Sequence, residues 1–224
     1  MMKYRELIIE KFNHDTVLVQ NGLVLYFDPY QVDLVNMPRA DIIFISHHHS
    51  DHCSPEDIEK VIKSDTLIIA TEHSRTLLEK FRQEKQFVKE GDEFEYKDIK
   101  VRVLPAYNID KFRSPGQLFH PRSDGGVGYI VSIKDMNLFF AGDTDNIPEM
   151  AELEDIDIAF LPISGTYVMS VEEAGKAIGL FKPKIVVPIH YGTIVGSRGQ
   201  AVELQELVEN NLETENQTKI KILD

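Results

Sequence analysis

An apolar run, Asp41-Ile42-Ile43-Phe44-Ile45, breaks into His47-His48-His49-Ser50-Asp51-His52, and a helix start, Ser54-Pro55-Glu56-Asp57, follows at once. The run has the length and β-branched content of a buried strand. Ser54 caps the helix and Pro55 fits its first turn. The histidine cluster therefore occupies a strand-to-helix loop anchored on a rigid strand.

Upstream, Leu7 to Phe12, Thr16 to Val19 and Leu23 to Phe27 are short β-rich pieces, broken by Asn13-His14-Asp15 and by Asn21-Gly22, the stronger hairpin signal. Downstream, Leu67 to Ala70 reads as a buried strand, and Glu72 to Arg82 as a helix with Leu77, Leu78 and Phe81 at helical spacing. The second half repeats the order. Strands are expected near Phe94-Glu95-Tyr96, Ile99 to Leu104, Val127 to Ile133 and Asn137 to Phe140, then strand Ile156 to Leu161, helix Val171 to Phe181 and strand Ile185 to Ile189. A meander that twice gives way to alternating β and α suits an α+β fold of two sheets packed face to face with helices outside. Between Pro105 and Gly126 the chain shows little periodicity over about twenty residues, a length typical of lids and binding loops, and this loop is a candidate site wall.

The 224 residues fit one domain, 1–224, with a well-buried core. A net charge of −13 disfavours general nucleic-acid binding, which draws on clustered Lys and Arg. Cys53 alone cannot form an internal disulfide, the start Met1-Met2-Lys3-Tyr4 lacks the apolar core of a secretory signal, and no apolar run reaches the ~18 residues of a membrane helix. A soluble, cytoplasmic protein acting on a small molecule, without nucleic acid or membrane, is expected. Homo-oligomerisation is left open.

His47, His49, Asp51 and His52 offer three imidazoles and a carboxylate, donors suited to Zn²⁺, Mn²⁺ or Fe²⁺ rather than Ca²⁺. Alternate positions 47 and 49 can face one side while 51 and 52 turn toward a second ion. The segment matches His-x-His-x-Asp-His at all four specified positions, and in this it resembles the metallo-β-lactamase superfamily. Three further elements recur in that family's order: Asp28 ending Leu25-Tyr26-Phe27-Asp28, Asp143 in Gly142-Asp143-Thr144, and His190 after Val187-Pro188-Ile189.

The resemblance implies a four-layer αβ/βα sandwich and two divalent metal ions, Zn or Mn, with Fe as a further option. His47 and His49 would bind the first ion, Asp51, His52 and His190 the second, and Asp143 both. Asp28 would orient a ligand imidazole from behind. The family's usual third histidine for the first ion is replaced by Pro105-Ala106-Tyr107-Asn108, and His120 in Phe119-His120-Pro121 is the candidate substitute, with Asn108 a weaker one. Pro105-Ala106-Tyr107-Asn108, Phe119-His120-Pro121, Gly142-Asp143-Thr144-Asp145 and Gly165-Thr166-Tyr167-Val168-Met169 resemble the metal-dependent hydrolases related to L-ascorbate-6-phosphate lactonase.

Such a site implies that a bridging hydroxide attacks a carbonyl or phosphoryl centre, with Asp51 as catalytic proton shuttle. Lys111, Arg113 and Arg122 make the long loop locally basic, which suggests a small anionic phosphoester or lactone. Tyr107, Lys111, Arg113 and Tyr167 are the candidate substrate-binding side chains. His48 is read as supporting or exposed, His14 and His73 as structural or surface residues, and Cys53 as core packing. The alternative is a non-catalytic or redox di-iron relative of the same fold. Ser50 argues against the redox form, because the family's di-iron flavoproteins carry Glu at that position.

Overall fold

The computed structural model describes residues 1–33, 37–210 and 218–223. The chain forms two compact units, Met1–Val88 with Leu223–Asp224, and Lys89–Ile222. Among the described residues no helix is long and apolar enough to cross a membrane.

In the first unit the strands are β1 (Met2–Tyr4), β2 (Leu7–Lys11), β3 (Val17–Gln20), β4 (Val24–Phe27), β5 (Ile42–Phe44), β6 (Leu67–Thr71) and β7 (Glu84–Val88), with helices α1 (Pro55–Val61) and α2 (Arg75–Leu78). The sheet runs in sequence order. It is antiparallel from β1 to β4 and parallel from β4 to β7. Asn21-Gly22 turns the β3–β4 hairpin, with Gly22 at φ +74°, a conformation that glycine adopts without steric cost. Ile43, Ile45 and Ile68 pack with Ile58, Val61 and Leu78 in one core cluster, which is how α1 and α2 are fixed to the sheet.

The expected helix over Glu72 to Arg82 is shorter than its apolar spacing suggests. A 3-10 turn covers Glu72–Ser74, α2 covers one turn more, and β7 follows. Only Leu78 and Phe81 of the apolar trio are buried, and Leu77 is exposed, so too little surface is covered to carry a long helix. The β7 sequence Glu-Lys-Gln-Phe-Val is polar because it forms the sheet edge, which hides it from a search for apolar runs.

The second unit contains β8 (Glu93–Tyr96), β9 (Ile99–Pro105), β10 (Phe112–Ser114), β11 (Gln117–Leu118), β12 (Val127–Ile133), β13 (Met136–Phe140), β14 (Ile158–Pro162), α3 (Val171–Phe181), β15 (Ile185–Ile189), α4 (Arg198–Glu209) and β16 (Lys219–Ile220). Its main sheet has the order β16-β15-β14-β13-β12-β9-β8, parallel from β13 to β16 and antiparallel elsewhere. The long loop is partly built, because β10 and β11 pair as a small hairpin. Helix α3 starts with Ser170 and Glu173 in a reciprocal capping box and buries Val171, Ala174, Ala177, Ile178 and Phe181 on one face. A Cβ on Gly175 would lie 2.7 Å from Leu207 Cδ2, so the missing side chain lets α3 and α4 approach closely. Helix α4 buries only Ala201 and Leu204, too faint a stripe to mark it in the sequence.

Candidate metal centre

In each unit the functional side chains gather where parallel strands end, the edge at which backbone turns leave side chains projecting from a rigid base. Asp28 follows β4 and the histidine cluster follows β5. In the second unit Asp143 follows β13, Ser164 and Tyr167 follow β14, and His190 follows β15. Asp28 and His190 adopt left-handed backbone conformations, φ 42° and 59°, as does His14 at 54°. Non-glycine residues take such angles at a cost of order 1–3 kcal/mol, and they cluster where function requires a set geometry.

In the first unit Asp28 is fully buried and organises two imidazoles. Its Oδ2 accepts from His52 Nδ1 at 2.8 Å and from Ser46 Oγ at 2.5 Å, while Oδ1 accepts the Ser46 backbone N–H at 2.7 Å. Since the Ser46 hydroxyl gives its proton to Asp28, it can only accept from His47 Nδ1, 3.0 Å away. Both His47 and His52 are thus held with Nδ1 protonated and Nε2 carrying the lone pair. Burial pushes the Asp28 carboxyl above its usual range, opposed by the bonds from His52 and Ser46. One donor atom each from Asp28, His47 and His52 lies within 4.8 Å of the others.

His49 brings Nδ1 to 3.0 Å from His47 Nε2. Asp51 places Oδ2 3.7 Å from His52 Nε2 and 3.3 Å from His14 Nε2, with its side chain 25% exposed. His14 and Asp15, in the turn before β3, are fully buried, and Asp15 Oδ2 lies 3.6 Å from His52 Nδ1. Sequence reading left His14 outside the cluster. A His-Asp pair in the tight turn Asn13-His14-Asp15 was the available signal. His48 packs edge-on against His73 at 5.8 Å, and its ring lies 5.0 Å from that of His49. Cys53 is core: burial pushes its thiol up to about 12, so it stays protonated and unreactive.

In the second unit Asp143 is buried and its Oδ2 lies 3.2 Å from His120 Nε2 and 3.3 Å from His190 Nε2. Ser164 Oγ tethers the other side of the His190 ring at 2.9 Å from Nδ1. Asn108, buried, accepts at Oδ1 from His120 N at 2.8 Å and from His120 Nδ1 at 3.1 Å. His120 therefore lies beside Asp143, and Asn108 stands behind its ring.

The candidate substrate residues divide. Tyr167 is half-buried, with its ring 6.4 Å from His190 and 4.7 Å from Phe119, and the Arg113 guanidinium lies 5.6 Å over the Phe119 ring. Tyr107 donates to Glu149 and faces the Arg122 guanidinium. Lys111 is gripped by Asp110, Glu173 and Asp145 at 2.5, 2.9 and 3.7 Å, and Arg122 by Glu90 and Glu149 at 3.0 and 2.9 Å. Among the described residues, Arg113 contacts Phe119, whereas Lys111 and Arg122 are held by carboxylates.

These donors fit divalent ions. Ligands on a tetrahedral ion with bonds of ~2.0–2.1 Å stand roughly 3.3 Å apart. The His120–Asp143 and His190–Asp143 separations of 3.2 and 3.3 Å agree with that, and the His47–His49 pair at 3.0 Å is close to it. A carboxylate oxygen flanked by two imidazole nitrogens is what a shared cation satisfies, and the hydrogen bonds behind the rings are those typical of metal-ligating histidines.

A family described as the beta-lactamase superfamily domain matches residues 8–190. Metal-dependent hydrolases of Nanoarchaeum equitans and Natranaerobius thermophilus are 30% and 32% identical to the chain, covering 83% of it and 84% and 83% of their own lengths. A crystal structure of a candidate metal-dependent hydrolase from Parabacteroides distasonis is 36% identical, with a TM-score of 0.82 over 97% of this chain and 94% of that one. With the donor geometry of both units, these similarities establish that the chain belongs to the metallo-β-lactamase superfamily, among its metal-dependent hydrolases.

Proposed function

We propose that this protein hydrolyses a small anionic phosphoester or lactone and uses two divalent ions, zinc or manganese, to do so. His47, His49 and His120 serve one ion, Asp51, His52 and His190 the other, and Asp143 is shared. The observation that carries this reading is the pair of imidazole nitrogens, His120 Nε2 and His190 Nε2, both within 3.3 Å of one Asp143 oxygen. Divalent ions in such a site supply Lewis acidity and a nucleophilic water at neutral pH.

The protein's own residues do the rest. Asp28 and Ser46 keep His47 and His52 in one tautomer, so no reorganisation is needed when substrate arrives. Asp51 takes up the proton lost by the attacking water, and its partial exposure lets that proton leave to solvent. Tyr167 and Phe119 offer ring surface to the organic part of the substrate, and Arg113 offers a guanidinium to its anionic group. Lys111 and Arg122 stay in their carboxylate cages and hold the loop in shape.

The test is metal analysis of the purified chain followed by a hydrolysis screen over phosphodiesters, lactones and thioesters. Turnover that depends on added metal and is lost in His49→Ala supports the reading. Less than one ion per chain after reconstitution, with turnover unchanged in His49→Ala, overturns it.

A further inference from the structure

Four residues, Asn108, His120, Asp145 and Tyr167, are tied into a directional hydrogen-bond relay. Asp145, buried, accepts the backbone N–H groups of Ile109 and Asp110 at Oδ2, 2.6 and 3.1 Å. Its Oδ1 faces the Asn108 amide nitrogen at 3.1 Å and Lys111 Nζ at 3.7 Å. The same Asn108 nitrogen donates to the Tyr167 carbonyl at 2.8 Å.

The polarity of the relay is forced. A backbone carbonyl can only accept, so the Asn108 edge facing Tyr167 and Asp145 must be its NH₂. A backbone N–H can only donate, so the edge facing His120 N must be Oδ1. His120 Nδ1 meets two acceptors, Asn108 Oδ1 at 3.1 Å and Tyr167 O at 3.2 Å, and must carry the proton. In the neutral ring that leaves the lone pair on Nε2, the atom 3.2 Å from Asp143.

We propose that Asp145 and Asn108 are positioning residues that set the tautomer and aim of His120, with Asp145 holding the Asn108 amide and Asn108 holding the imidazole. Asp145 does this from one carboxylate that also fixes the backbone of the loop, so loop shape and ligand direction are set together. The proposal rests on the reading of His120 as a metal ligand. It explains how a histidine delivered by a long loop is held as firmly as one at a strand end.

The experiment is ¹⁵N NMR of the histidine ring nitrogens in the metal-free full chain, followed by Zn²⁺ titration against a competing chelator. The wild-type His120 is expected as the Nδ1–H tautomer with slow exchange of that proton. Asp145→Asn has one acceptor where two are needed, and Asn108→Leu has none. Each is expected to speed the exchange at least tenfold and to weaken Zn²⁺ binding by about 10–100-fold. An Nε2–H tautomer in the wild type overturns the proposal even if neither variant folds. So do unchanged exchange and affinity in folded variants. Unchanged metal stoichiometry and affinity in His120→Ala would instead remove the ligand reading, while the wild-type tautomer still tests the relay.

Discussion

Asp28 Oδ2 accepts the Nδ1 proton of His52 at 2.8 Å, and the same oxygen receives the Ser46 hydroxyl that in turn accepts from His47. One buried carboxylate thus orients two imidazoles. Asp28→Asn keeps the shape, but its amide nitrogen must face a donor, so one ring loses its support. Metal affinity is expected to fall about 10–100-fold, read by chelator competition. Unchanged affinity would mean that the rings are held by packing alone.

Asp57 ties α1 to the segment before β5. Burial raises its carboxyl, but bonds from Ser54, Lys60 and the Val32 N–H outweigh that and hold it below the usual range. A carboxyl lowered on folding stabilises the native state above its unfolded pKa of ~3.9, and that contribution is lost as pH falls through the lower native value. Asp57→Asn is expected to cost about 1–3 kcal/mol near neutrality and to flatten the acid limb of urea-midpoint against pH. A parallel shift at every pH would contradict this.

Gly128 of β12 has no room for a side chain. A Cβ there would lie 2.9 Å from the backbone oxygens of both Phe140 and Ala141, just ahead of Gly142-Asp143. Backbone cannot swing aside as a flexible side chain can. Gly128→Ala is expected to destabilise by ~1–3 kcal/mol in urea unfolding and to lower metal affinity through Asp143. Wild-type stability and affinity together would show that the strand yields freely.

Lys111 separates a substrate clamp from a structural tie. Desolvation would lower its ammonium, yet Asp110, Glu173 and Asp145 together raise it. Lys111→Met leaves those carboxylates to repel one another and is expected to lower Tm by several degrees with little change in KM. Arg113→Met is expected to do the reverse, raising KM with Tm unchanged. A large KM effect from Lys111→Met would return it to the substrate.

Much of the centre was legible because its residues obey short-range rules. His47 to His52 follow a strand that announces itself by Ile42-Ile43-Phe44-Ile45, and Asp143 and His190 follow Leu138-Phe139-Phe140 and Ile185 to Ile189. The residues that were not legible act at long range. Ser46 and Ser164 matter only because of where Asp28 and His190 stand, and Asp145 only because the loop folds back on it. His14 reads as a structural or surface residue, and only the buried β2–β3 turn brings it beside Asp51. The edge strand β7 and helix α4 bury too few apolar side chains to leave a periodic trace.

The central claim is that the carboxylate of Asp143, flanked by His120 and His190, is shared between ions. Metal content per chain, measured by plasma mass spectrometry on reconstituted wild type and Asp143→Ala, tests it most directly. The account predicts about two divalent ions per wild-type chain, as a dinuclear hydrolase requires, and one or fewer in the variant. Equal content in both proteins, or none in the wild type, would contradict it.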